Sequence, residues 1–240
     1  MKIDASNMHF KDLNKRVRLA EKSVITIEHC NGQRYIGSGL ADKQLVIKGT
    51  PGNALGAYLD GARITVYGNT QDAAGDTMNE GAIYIHGSSG DATGYAMRGG
   101  KIYVKGDTGY RAGIHMKAYR DKIPVMVIGG TAGSFLGEYQ AGGIIVVLGL
   151  NKEAKTPVGY FCGTGMHGGR IFLRSEELPW DLPQQVVAAE ASEQDLDGIL
   201  PYLEEFCEVF GLDLPGVLAH RFYMLTPNTK NPYKQMYTQN

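Results

Sequence analysis

Cysteine is scarce in this chain of 240 residues: Cys30, Cys162 and Cys207 are the only three. They are far apart and form no C-x-x-C, which argues against a disulfide framework, a zinc ribbon and an iron–sulfur ligand set. Long apolar runs are also lacking. "GGIIVVLGL", from Gly142 to Leu150, is far too short to span a membrane. The opening "MKIDASNMHFKDLN" has no apolar core of the kind a secretory leader carries. A reducing, cytoplasmic setting with no membrane contact is the expectation. Lys and Arg are absent from Ser175 to His220, where 11 Asp and Glu occur, whereas residues 1–174 hold 21 Lys and Arg against 14 Asp and Glu. The chain therefore reads as a mildly basic body with an acidic segment. Its basic excess lacks the stripe that nucleic-acid binding needs, so no nucleic-acid partner is expected.

The middle of the chain also lacks helix signals. Intervals such as "NTQDAAGDTMNEGA" are polar and broken by glycine. A doubly wound sheet, which needs a helix of about ten or more residues between parallel strands, does not fit.

Glycine is what the chain has in quantity, 33 residues spread through the middle. Strand-like runs end at Gly49, Gly68, Gly87 and Gly106, each 19 residues after the last, and continue less regularly at Gly129, Gly149 and Ser175. Two residues before these ends stand Val66, Ile85, Val104, Val147 and Leu173; four before stand Ile64, Ile83, Ile102, Ile145 and Ile171. The copy ending at Gly129 aligns Val125 and Val127 with those columns. Twelve residues before the ends stand Gly56, Gly75, Gly94, Gly137 and Gly163, and nine before stand Leu59, Met78, Met97 and Met166, with Gln140 the exception. Alternating apolar positions turn one face of a strand inward, and a unit that cannot bury this face alone stacks on its neighbours. The pattern predicts an all-β fold: a right-handed parallel β-helix, or solenoid, of about six or seven turns. The expected parts are an N-terminal helix and strand cap over 1–30, the solenoid over 31–175, and an acidic helical segment with an extended tail over 176–240. In the last part the apolar positions from Leu196 to Phe210 have helical spacing, with Ser192 as N-cap, Gly211 as the residue past the end, and Pro201 marking a kink or a second start.

Gly163, Gly165 and Gly168 in "CGTGMHGG" spell the dinucleotide fingerprint G-x-G-x-x-G. A dinucleotide loop needs a helix after it, and here the strand-like "RIFL" follows. Gly163 and Gly168 belong to repeat columns, which leaves Gly165 and its neighbour Cys162 unexplained. Cys162 and His167 have no third partner for nucleophilic catalysis. "GYRAGIHMKAYRDK", from Gly109 to Lys122, is a stronger candidate site, because the period stretches there and insertions in a repeat protein collect on one face. It offers Arg111, His115, Lys117, Tyr119 and Arg120 for a partner or anion contact, against the alternative of a solvated loop. "LNKEAKTP" (150–157) reads as a second, polar insertion.

The stretches "GQRYIGSG", "GTPGNALGAYLDG", "GYAMRGGKIYVKGDTGYRAGIHMK", "GEYQAGGIIVVLG", "GMHGGRIF" and "NPYKQMY" together resemble the glycine-repeat (GXGXG) β-helix domain at the end of the large subunit of glutamate synthase, in its free-standing archaeal-type form. The glycine-repeat subunit of formylmethanofuran dehydrogenase forms a sister family. The resemblance implies a scaffold in a multi-subunit glutamate synthase, which makes glutamate from glutamine and 2-oxoglutarate. Its implied partners are a glutamine amidotransferase subunit and a flavin subunit, the latter carrying FMN and an iron–sulfur cluster. It implies no catalytic, cofactor-binding or metal-binding residue in this chain, consistent with Lys2 where an amidotransferase would have its N-terminal cysteine. A formylmethanofuran dehydrogenase complex is the alternative setting.

Overall fold

The computed structural model describes residues 1–151 and 156–228. The tail motif "NPYKQMY" and the centre of the 150–157 insertion lie outside the described residues. The elements in chain order begin with β1 (Lys2–Asp4), α1 (Phe10–Leu19), β2 (Val24–Asn31), β3 (Gln44–Thr50), β4 (Asp60–Tyr67) and β5 (Glu80–Ile85). Next come β6 (Lys101–Val104), β7 (Val125–Ile128), β8 (Ala141–Val147), β9 (Gly168–Arg174) and β10 (Val186–Glu190). The chain then forms α2 (Glu193–Asp197), α3 (Leu200–Phe210), α4 (Leu214–Leu218) and β11 (Phe222–Pro227).

The expected parallel β-helix is not what these elements form. All the strands belong to one open, mixed sheet of 11, in the order β1-β2-β3-β4-β5-β6-β7-β8-β9-β11-β10. The reason lies in what each repeat can pair. One segment per repeat is extended and lies parallel to its neighbours from β1 to β9. The remaining residues of each repeat take turn and left-handed conformations that cannot form a ladder. Elsewhere they make only single-residue bridges, such as Thr70 to Ser89 and Ser89 to Thr108. No second sheet accompanies the first among the described residues. At the far end β11 runs antiparallel to both β9 and β10.

The inner face is built as the apolar columns require. Leu45, Ile64, Ile83 and Ile102 are successive partners, as are Ile47, Val66, Ile85 and Val104, and all are essentially inaccessible. Each such burial contributes roughly 1.5–3 kcal/mol. Gln140, the polar exception, is fully buried, and its Nε2 donates to the carbonyls of Gly142 and Gly143, beside a register shift in β8.

Strand β7 departs from the expected phase. Met126 and Ile128, not Val125 and Val127, join the inner columns, paired with Ile102 and Val104. "VMVI" is apolar at every position, so alternation gives it no phase. Its other face is buried as well. Tyr84, Tyr103, Val127, Val146 and Phe172 follow one another across the outer face, where Leu203, Phe206, Cys207 and Phe210 of α3 cover them in a second apolar cluster. Pro201 starts α3 as a separate helix, the Ser192 side chain caps α2 in a capping box, and Gly211 closes α3 with φ 65°.

A polar latch holds α3 down. Glu205 accepts hydrogen bonds from Tyr84 (2.7 Å), Tyr103 (3.0 Å) and the Lys101 ammonium. Burial pushes the Glu205 carboxyl up, but the bonds from Lys101, Tyr84 and Tyr103 outweigh it and hold the group below its ordinary value.

Candidate functional site

The unpaired part of each repeat has its own order. Three alternate residues adopt the left-handed conformation, and the central one is always glycine. Ala92, Gly94 and Ala96 (φ 53°, 70° and 50°) form one such triplet, and Arg111, Gly113 and His115 (56°, 68° and 55°) the next. Phe135, Gly137 and Tyr139 follow, then Phe161, Gly163 and Gly165. The residue before the central glycine points inward: Leu55, Ala74, Thr93, Ala112, Leu136 and Cys162 are all fully buried.

Backbone bonds lock the stack. In the copy at Gly113, the central amide donates to Thr93 O of the preceding copy (2.8 Å), while Arg111 and His115 N donate forward to Ser134 O (3.0 Å) and Glu138 O (2.9 Å). Glycine is required at the centre because a Cβ there would overlap the inner column; at Gly75 it would lie 2.3 Å from Ile102 Cδ1. Flanking positions point outward and accept a side chain at some cost in strain.

This order explains "CGTGMHGG". Cys162 belongs to the inner column, where it is fully buried; burial pushes its thiol up to about 12, the opposite of the exposed, low-pKa setting of a reactive cysteine. Gly165 is not an extra glycine but the third left-handed position of the last copy, as Gly39 is of the first. His167 is exposed and its Nδ1 meets the Gly165 carbonyl at 3.2 Å.

The outward flanks of the later copies carry rings. Tyr139 stacks on His115 (centroids 5.3 Å apart, 11° between planes), and Tyr95 meets His115 edge-on at 5.9 Å. Phe161 stacks on Phe135 at 5.1 Å, with Tyr110 beside Phe135 and Trp180 edge-on to Tyr160 at 6.1 Å. The Arg111 guanidinium lies 5.3 Å from the Phe135 centroid and its Nε donates to Glu138 at 3.0 Å. Trp180 is 85% exposed, and Tyr139, Tyr160 and Phe161 about half.

The five residues singled out in the sequence separate into two places. Arg111 and His115 stand on this aromatic corner. Lys117 is exposed two residues beyond His115. Tyr119 and Arg120 sit on a turn closed by reciprocal backbone bonds between Tyr119 and Lys122 (3.1 and 3.0 Å), with the Arg120 guanidinium over the Tyr119 ring. Lys122 pairs with Glu80 at 2.7 Å, laying the turn over a cleft of about 260 Å³ lined by Asp60, Asn79 and Arg98. Sequence reasoning missed Phe135, Tyr139, Tyr160, Phe161 and Trp180. The signal that finds four of them is the x-G-x triplet itself, read together with the residue before it. Among the described residues no three His, Cys, Asp or Glu side chains converge as metal ligands, and no helix is long and apolar enough to cross a membrane.

The GXGXG motif family model matches residues 8–228. An uncharacterized protein of Methanocaldococcus jannaschii is 46% identical over 252 residues, covering 98% of this chain and 95% of its own length. In structure, a chain of the formyltransferase/hydrolase complex from Methylorubrum extorquens, crystallised with methylofuran, superposes with a TM-score of 0.65 at 21% identity, covering 92% of this chain and 88% of that one.

Proposed function

The chain belongs to the GXGXG motif family, and we propose that it serves as a non-catalytic, structural subunit of a multi-chain enzyme of the formyltransferase/hydrolase or formylmethanofuran dehydrogenase kind. The observation that carries this reading is the superposition over nearly the full length of both chains on a protein that works inside such a complex. The corner face supports a binding role: large exposed apolar patches on a small protein mark interaction sites. In this role the chain contributes rigidity and position. Its stacked backbone fixes the outward rings, and partner subunits bring the reacting groups.

A second reading places the chain in a glutamate synthase, between an amidotransferase and a flavin subunit. It is favoured by the stretches "GYRAGIHMK" and "GEYQAGG", which resemble that branch. Affinity isolation of the full chain, co-expressed with the genes that flank its own, separates the two. Formyltransferase, hydrolase or molybdopterin-binding chains support the first reading, and a flavoprotein with a glutaminase supports the second. A chain that isolates alone and turns over a substrate by itself overturns both.

A further inference from the structure

We propose that the cleft beneath the turn from Tyr119 to Lys122 binds a small zwitterion of the free amino-acid kind. The site lies within this chain, goes beyond the subunit reading and stands or falls separately from it.

The repeat supplies the floor. Asp60, Asn79 and Arg98 stand 19 residues apart and occupy one position in three successive copies. Their amides donate to Leu40 O, Leu59 O and Met78 O of the copy before, at 2.9, 2.8 and 2.8 Å. The three residues therefore stand in file, a strand spacing of about 4.8 Å apart, and run acid, amide, base. Two steps separate Asp60 from Arg98, and neither forms an ion pair among the described residues.

The insertion supplies the roof. The Tyr119–Lys122 turn falls where the period stretches, and it folds back across the earlier copies. Lys122 reaches Glu80, 42 residues upstream, at 2.7 Å. Gly99, next to Arg98, makes room for this approach: a Cβ there would lie 3.0 Å from Lys122 Cβ and 2.3 Å from Asn79 O. The file of polar side chains thus lines a cleft of about 260 Å³ instead of open surface. That volume is below the range of about 300–1,000 Å³ typical of sites for drug-sized molecules, so the ligand is smaller than those.

Charge selects the ligand. Lys122 is taken by Glu80, and the Arg120 guanidinium lies over the Tyr119 ring, 5.1 Å from its centroid. Asp60, Asp121 and Arg98 line the same cleft with no ion pair among the described residues. A simple anion there meets two carboxylates, and a simple cation meets Arg98 and Arg120. A molecule with both charges answers both: its carboxylate takes the Arg98 fork, its ammonium donates to Asp60 or Asp121, and the Asn79 amide serves either end.

The test is amide NMR of the full chain titrated with glycine, L-alanine and L-glutamine, and with the N-acetyl and amide forms of each. At least one free amino acid is expected to shift the Asn79 side-chain amide and the Gly99 backbone amide saturably. Its N-acetyl form, which lacks the ammonium, and its amide form, which lacks the carboxylate, bind about tenfold or more weakly. Asp60→Asn and Arg98→Gln each weaken the free amino acid by a similar factor, with thermal melting showing both variants folded. An N-acetyl form that binds as tightly as its parent makes this an anion site and overturns the proposal. An amide form that does so makes it a cation site and overturns it equally. No saturable shift at Asn79 and Gly99 with any of the three amino acids up to about 10 mM overturns the site and leaves the subunit reading standing.

Discussion

Tyr139 occupies the space that a side chain at Gly165 would need. A Cβ on Gly165 would lie 2.5 Å from Tyr139 Cδ1 and 2.6 Å from Cε1. The same ring stacks on His115 of the preceding copy, so the last copy is left bare to hold a ladder that starts two copies earlier.

Gly165→Ala is therefore expected to destabilise the fold by about 1–3 kcal/mol, from left-handed strain and overlap together. Chemical denaturation measures it. In a Tyr139→Ala background the overlap is gone and the cost falls to the strain alone, so the two substitutions are coupled. Additive costs would show that Tyr139 does not hold this position.

Ala96, left-handed at φ 50° and half-buried, gives the opposite test. Ala96→Gly relieves the strain and is expected to stabilise by about 0.5–1 kcal/mol despite the added freedom of the unfolded chain. A lowered melting temperature would argue against the triplet geometry.

The latch on α3 predicts a pH dependence. The Glu205 carboxyl titrates below its ordinary value when folded. Its stabilising effect is complete above the unfolded value, near pH 4.5, and is lost as pH falls through the lower folded value. Glu205→Gln removes the charge that Lys101, Tyr84 and Tyr103 face. It should lower stability by about 1–3 kcal/mol at pH 7 and flatten this part of the acid limb. Thermal melts from pH 3 to 7 on both proteins check it, and an unchanged acid limb would exclude the latch as its source.

Ile102 is fully buried and aligned with Ile83 on one side and Met126 on the other. Ile102→Asp places a charge between stacked strands where no cation faces it, and the chain is expected to lose cooperative unfolding altogether. A normal melt would show that the column is not the core.

The strands were legible because their inner residues alternate and a glycine ends most of them. Phase failed at Val125 to Ile128, where both faces are apolar and α3 supplies the second cover from far along the chain. The sheet architecture was misread for a related reason. Alanine, arginine, histidine and phenylalanine stand in left-handed positions that glycine alone advertises, so those segments looked free to pair as strands. The antiparallel pair of β10 and β11 was missed because Val186–Glu190 and Phe222–Pro227 are joined across a helical segment. Of the candidate site, Arg111 and His115 were read as part of an inserted loop, whereas they belong to the regular corner. The rings beside them escaped notice because the later copies are 24 and 26 residues apart, as from Arg111 to Phe135 and on to Phe161, rather than 19.

The central claim is that this chain acts as a structural subunit within a larger enzyme. Native mass spectrometry of the full chain co-expressed with its flanking genes tests it most directly. The account predicts one assembly in which this chain is bound in fixed stoichiometry to at least one catalytic subunit, and whose activity is lost when this chain is omitted. A free chain of 26.1 kDa beside fully active partners would contradict it.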